Sequence, residues 1–91
     1  MPRNETQKTI AEWADEAFGP APSIPRLAAR ANEEMAELLR EVTFSRDSRE
    51  CVYEAADVVI ALYRLAEVCG ADLDFVVDKK MEMNRWLRGD T

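Results

Sequence analysis

The chain reads as four stretches of helical periodicity separated by glycine, proline and short polar breaks, with no strand-like alternation and no repeat. The first predicted helix covers about residues 4–17, where Asn4 and Gln7 have the spacing of a capping box. Gly19, Pro20, Pro22 and Pro25 then enforce a turn. Ser23 can cap a second helix that starts near Pro25, a favourable first-turn position, and runs to about residue 42. A polar loop over 43–48 leads to a third helix, 49–69, stopped by Gly70 as its C′ residue. Asp72 can cap a fourth, ending near Arg88 with Gly89 behind it. Connections this short favour antiparallel neighbours, so the predicted fold is all-α: a four-helix antiparallel bundle, one domain over residues 1–91.

The third helix is apolar almost all round, through Ala55, Ala56, Val58, Val59, Ile60, Ala61, Leu62, Tyr63, Leu65, Ala66 and Val68. Such a helix is normally covered on most sides. A 91-residue chain has little else to cover it with, so a homodimer or a dimer of dimers (a homotetramer) is expected.

Against this apolar background some carboxylates are out of place. On a wheel of about 100° per residue, Leu27, Ala31, Leu38 and Val42 define the apolar stripe of the second helix. Glu34 falls inside that stripe and Glu37 at its edge, three residues on. The third helix repeats the spacing with Glu54 and Asp57, the latter followed by six apolar residues. An unpaired charge there costs several kcal/mol or more. If the two helices are antiparallel neighbours, Glu34, Glu37, Glu54 and Asp57 can converge, and a hard cation with oxygen ligands, Mg²⁺ or Mn²⁺, resolves their repulsion. The competing explanation for Asp57 is an ion pair with Arg64 or Arg30. Glu33 and Glu41 read as solvated face, with Glu33 close enough in sequence to assist at a metal.

The fourth helix has a second anomaly. Its stripe is Val76, Val77, Met81 and Leu87, and Lys80 and Asn84 fall within it. Lys80 can snorkel, or it can point its ammonium at a phosphate over the carboxylates; Asn84 can orient a phosphate, a ribose hydroxyl or a metal ligand. Lys79 suits the helix dipole, Arg85 and Arg88 fit either role, and Trp86 reads as packing or oligomer contact.

Composition removes several classes of function. Twelve basic against eighteen acidic side chains leave a net charge of −6, which argues against a nucleic-acid partner. A phosphate-bearing small molecule remains possible if a metal neutralises it. The charged first fifteen residues hold no apolar leader, and the longest apolar run, 58–63, is too short for a bilayer, so no membrane partner and a cytoplasmic location are expected. Cys51 and Cys69 lie about 27 Å apart along one helix and cannot pair within it. The chain has no histidine, which rules out Ser-His-Asp and Cys-His catalysis and histidine-based zinc sites. A general base must therefore be a carboxylate, with Glu33, Glu34 and Glu37 as candidates.

Glu33-Glu34-Met35-Ala36-Glu37 followed by Glu54-Ala55-Ala56-Asp57 resembles the EExxE…ExxD signature of the MazG-like, all-α nucleoside triphosphate pyrophosphatases. Lys80-Met81-Glu82-Met83-Asn84-Arg85 resembles that family's C-terminal lysine and asparagine motif, and Trp13 and Phe18 are similar to the aromatics of its first helix. The resemblance implies Mg²⁺-dependent cleavage of a nucleoside triphosphate between the α- and β-phosphates, yielding the monophosphate and pyrophosphate. It implies Glu34, Glu37, Glu54 and Asp57 as metal ligands, Lys80, Asn84 and Arg88 on the phosphates, and Trp13 at the base. Family members often have a basic residue three positions after the asparagine; here that position is Leu87, with Arg88 next. Two other readings compete: a phosphoribosyl-ATP pyrophosphohydrolase, with the same carboxylates and bond, and a non-enzymatic helical interaction module.

Overall fold

The computed structural model describes residues 3–45 and 47–89, and among them it contains four α-helices and no strand: α1 (Gln7–Phe18), α2 (Ile24–Phe44), α3 (Ser48–Val68) and α4 (Leu73–Arg88). Arg46, within the predicted loop between the second and third helices, lies outside the described residues. Two of the four starts follow the predicted caps, Ser23 and Asp72, and Asp47, within the predicted polar loop, caps the third helix. Ser23 accepts from the Arg26 amide, Asp47 from Arg49 and Glu50, and Asp72 from Asp74 and Phe75. Gly70 and Gly89 stand at positive φ, 75° and 83°, where a side chain would be strained, and they end α3 and α4.

The first helix starts later than its sequence suggests. Thr6 is the cap, and Thr6 and Thr9 bond each other's amides reciprocally, at 2.9 and 3.2 Å. Asn4 and Gln7 have the same spacing, but Gln7 has a tertiary role. Its Nε2 donates to Glu67 Oε1 (2.9 Å) and to the Ala71 carbonyl (2.6 Å), and its Oε1 accepts from the Leu73 amide (2.9 Å). One side chain thus fastens α1 to the joint between α3 and α4.

The core is small and lies among the first three helices: Ile10, Ala11 and Ala14 of α1, Leu27 and Ala31 of α2, Tyr63 and Ala66 of α3. Helices α2 and α3 form the principal packed pair and α1 lies against α3. Helix α4 is different. It is anchored at its first turn, where the buried Tyr63 hydroxyl donates to Asp74 Oδ1 (2.6 Å) and accepts from Arg3 Nη2 (2.9 Å). Beyond Leu73 every described residue of α4 is exposed, including the predicted inward stripe of Val76, Val77, Met81 and Leu87. The radius of gyration is correspondingly large, 15.1 Å, against about 12 Å for a compact chain of this length. The all-α, four-helix expectation therefore holds, while the fourth helix does not close over the other three within one chain. No helix among the described residues is long and apolar enough to cross a membrane.

Candidate functional site

The α2–α3 hairpin sets the height of the acidic residues. Glu34 stands about as far before the turn as Glu54 and Asp57 stand after it, so folding the hairpin brings them level. Glu34, Glu54 and Asp57 each present a carboxylate oxygen, and the three oxygens lie within 4.8 Å of one another. Glu34 and Glu54 are half-buried and Asp57 is exposed. Glu37, expected as the fourth member, is not in this group: its side chain is exposed and turned to Arg40 Nη1 at 3.4 Å. Its charge nevertheless reaches Glu54. Burial first, then the charges of Asp57, Glu37, Glu41 and Glu34, raise the Glu54 carboxyl above its ordinary range.

The two arginines proposed as partners for Asp57 are engaged elsewhere. Arg30 lies 2.9 Å from Glu34 and 3.2 Å from Glu33, each through a different nitrogen. Arg64 donates from Nη2 to Asp15 Oδ1 (3.1 Å) and to the Gly19 carbonyl (2.8 Å). Glu34 is therefore neutralised within its own helix, whereas no ion pair among the described residues reaches Glu54 or Asp57. Carboxylates that repel one another at this range, with no cation on two of them, form a donor set suited to a hard divalent ion. Glu34 would join it by exchanging Arg30 for the ion.

The acidic group opens onto a cleft of about 470 Å³ lined by α1, the α1–α2 turn, α2 and α3. Glu34 and Asp57 lie on its wall together with Arg30, Arg64, Trp13 and Phe18. Trp13 and Phe18 meet edge to face, with ring centroids 5.5 Å apart and planes at 83°. Gly19 closes α1 with φ 87°, and the turn that follows contributes Pro20 and Pro22 to the wall. The cleft is thus acidic in one part and apolar in another, with Arg64 on its wall as well.

Trp13, expected at the base, lines the same cleft as Glu34 and Asp57. Lys80, Asn84 and Arg88 do not line this cleft; all three are exposed on α4. Glu33 is exposed and paired with Arg30. Cys51 is half-buried, Cys69 is exposed, and both are free thiols. Sequence reasoning treated Arg30 and Arg64 only as neutralisers of Asp57 and so missed their place in the cleft wall. A signal for Arg64 was present, because Asp57, Ala61 and Arg64 recur at i, i+4 and i+7 and share one helix face.

Arg64 has one further peculiarity. Its side chain is only 12% exposed, and its buried Nε–H meets no acceptor. Such an orphan costs roughly 1–3 kcal/mol. Comparison with protein-family models, with curated proteins and with solved structures finds no match to this chain.

Proposed function

We propose that the protein is a metal-dependent nucleoside triphosphate pyrophosphohydrolase that cleaves between the α- and β-phosphates. The observation that carries this reading is the convergence of Glu34, Glu54 and Asp57 within 4.8 Å, two of them without a cationic partner, at the mouth of an aromatic-lined cleft. The EExxE…ExxD spacing resembles that of the MazG-like enzymes and adds to it. Mg²⁺, or Mn²⁺ in its place, fits the all-oxygen donor set, and Glu34, Glu54 and Asp57 are the residues that would hold it. Once bound, such an ion supplies charge neutralisation to the polyphosphate and lowers the pKa of a coordinated water.

The chain's own groups account for the rest of the reaction. A water oxygen attacks the α-phosphorus, the α–β bridging P–O bond breaks, and its electron pair leaves with pyrophosphate. A carboxylate takes the water's proton. Glu33, Glu34 and Glu37 are the candidates for that carboxylate. Trp13 and Phe18 offer the base a flat apolar wall. Lys80, Asn84 and Arg88 act on the phosphates in this reading only when α4 is brought over the acidic group, and a second copy is the simplest means. The exposed apolar side chains of α4 support such a homodimer or homotetramer.

A panel of NTPs and dNTPs incubated with Mg²⁺ and analysed for monophosphate and pyrophosphate tests the reading. Glu54→Ala and Asp57→Ala variants are expected to stay helical and lose the activity. Release of orthophosphate without pyrophosphate would overturn the proposed bond cleavage.

A further inference from the structure

The Arg64 part of the cleft has a chemistry of its own. Asp57, Ala61 and Arg64 stand on one face of α3 and all line the cleft, so Arg64 is two helical turns, about 10 Å, from the acidic group. Asp15 and the Gly19 carbonyl both hold Nη2, which fixes the plane of the guanidinium. Nε–H is buried without an acceptor, and no hydrogen bond from Nη1 to a described residue exists. A guanidinium donates only; it has no acceptor to offer. Nε is too buried for a ligand to reach and Nη2 is occupied. With Trp13 and Phe18 in the same wall, the cleft therefore offers an apolar surface for a flat ring and Nη1 as the donor beside it.

We propose that Arg64 reads the base of the nucleotide, selecting bases whose edge carries a carbonyl acceptor, of the guanine or uracil type, over bases with an exocyclic amine there. Guanine presents O6 and uracil O4 as a carbonyl acceptor for Nη1; adenine and cytosine set an exocyclic N–H donor there against the guanidinium donors. This inference rests on the pyrophosphohydrolase reading and assigns the substrate class of that same site. Arg64 acts in it as a specificity residue, not in the bond-breaking step.

The test pairs hydrolysis with binding. kcat/KM for GTP, ITP, UTP, ATP and CTP is measured with Mg²⁺ on the wild type and on Arg64→Lys and Arg64→Gln. Binding of the non-hydrolysable α,β-imido analogues is followed through tryptophan fluorescence. Wild type is expected to favour carbonyl-bearing bases over ATP by about 10- to 100-fold, the scale of one charged hydrogen bond. GTP and ITP against UTP tells purine from pyrimidine. Arg64→Lys keeps a cation for Asp15 and Gly19 but loses the planar fork, and it should bring the ratio close to one, mainly through KM. A wild type that ranks ATP level with GTP and UTP overturns the inference, as does a ratio that survives in either folded Arg64 variant. Analogue binding with the expected ranking but no cleavage supports the inference and removes the hydrolase reading. Cleavage without base ranking does the reverse, and neither binding nor cleavage removes both.

Discussion

The α2–α3 hairpin and α4 contain the same kind of sequence anomaly, polar groups set into an apolar stripe, and the fold treats them differently. In the hairpin, Glu34, Glu54 and Asp57 are drawn to within 4.8 Å of one another beside a cleft. In α4, Lys80 and Asn84 stay on the surface, and so does the apolar stripe around them. Helical periodicity identifies a face in both cases. It does not say what the face meets, and every described residue of α4 beyond Leu73 is exposed.

The most drastic way to separate the two regions is to disable each in turn. Asp57→Asn is expected to lower kcat/KM on the order of 10³-fold, with helicity by circular dichroism unchanged, because it removes a group from the converging set. Lys80→Ala should cost about 10- to 100-fold if α4 reaches the phosphates, and nothing measurable if it does not. Mixing the two inactive variants then locates α4. If a second copy supplies Lys80, heterodimers regain one intact site in two, and a random mixture recovers about a quarter of wild-type activity. No recovery assigns α4 to its own chain or to no role in the site.

Packing provides the second contrast. Leu27, only 2% exposed, should lose about 2–5 kcal/mol of stability on change to alanine. The same change at Val77, about half exposed on α4, should cost under about 0.5 kcal/mol in an isolated chain. Urea unfolding at several protein concentrations checks both. A large, concentration-dependent loss at Val77 reveals a partner on α4.

The metal reading adds a third contrast. At a hundredfold excess over its dissociation constant, Mg²⁺ should raise unfolding free energy by about 2.7 kcal/mol. Asp57→Asn should abolish this gain and Lys80→Ala should leave it. Equal Mg²⁺ stabilisation in wild type and Asp57→Asn would show that the ion binds somewhere else.

Why the sequence revealed one region and not the other follows from the range of the forces involved. The caps at Ser23 and Asp72 and the stops at Gly70 and Gly89 are local, and they were readable. The hairpin site was nearly as readable, because a short connection and residues at similar distances either side of it leave little freedom. Glu37 lies outside the converging three and pairs with Arg40, three residues on, a local contact that the helix wheel does not weigh. Gln7 was misread as a cap because its partners, Glu67, Ala71 and Leu73, lie 60 or more residues away. The same is true of Arg64, whose partners Asp15 and Gly19 come from another helix and its end. Long-range polar contacts leave no periodic mark in a sequence.

The smallest expected effect concerns Glu54 alone. Its carboxyl is raised by burial and by four neighbouring carboxylates, so between the ordinary carboxyl range and its raised value the folded chain binds more protons than the unfolded one. Stability attributable to Glu54 is therefore fully present below the ordinary range and is lost as pH rises through the raised value. Glu54→Gln removes that slope and should make the metal-free protein slightly more stable than wild type at neutral pH. With Mg²⁺ present the order should reverse, since an ion rewards the ionised carboxylate that its absence penalises. Thermal unfolding from pH 4 to 8, with and without Mg²⁺, reads both signs. If Glu54→Gln is the less stable protein in both conditions, Glu54 makes a favourable contact as an anion, and the acidic group is a structural feature of the hairpin and no metal centre.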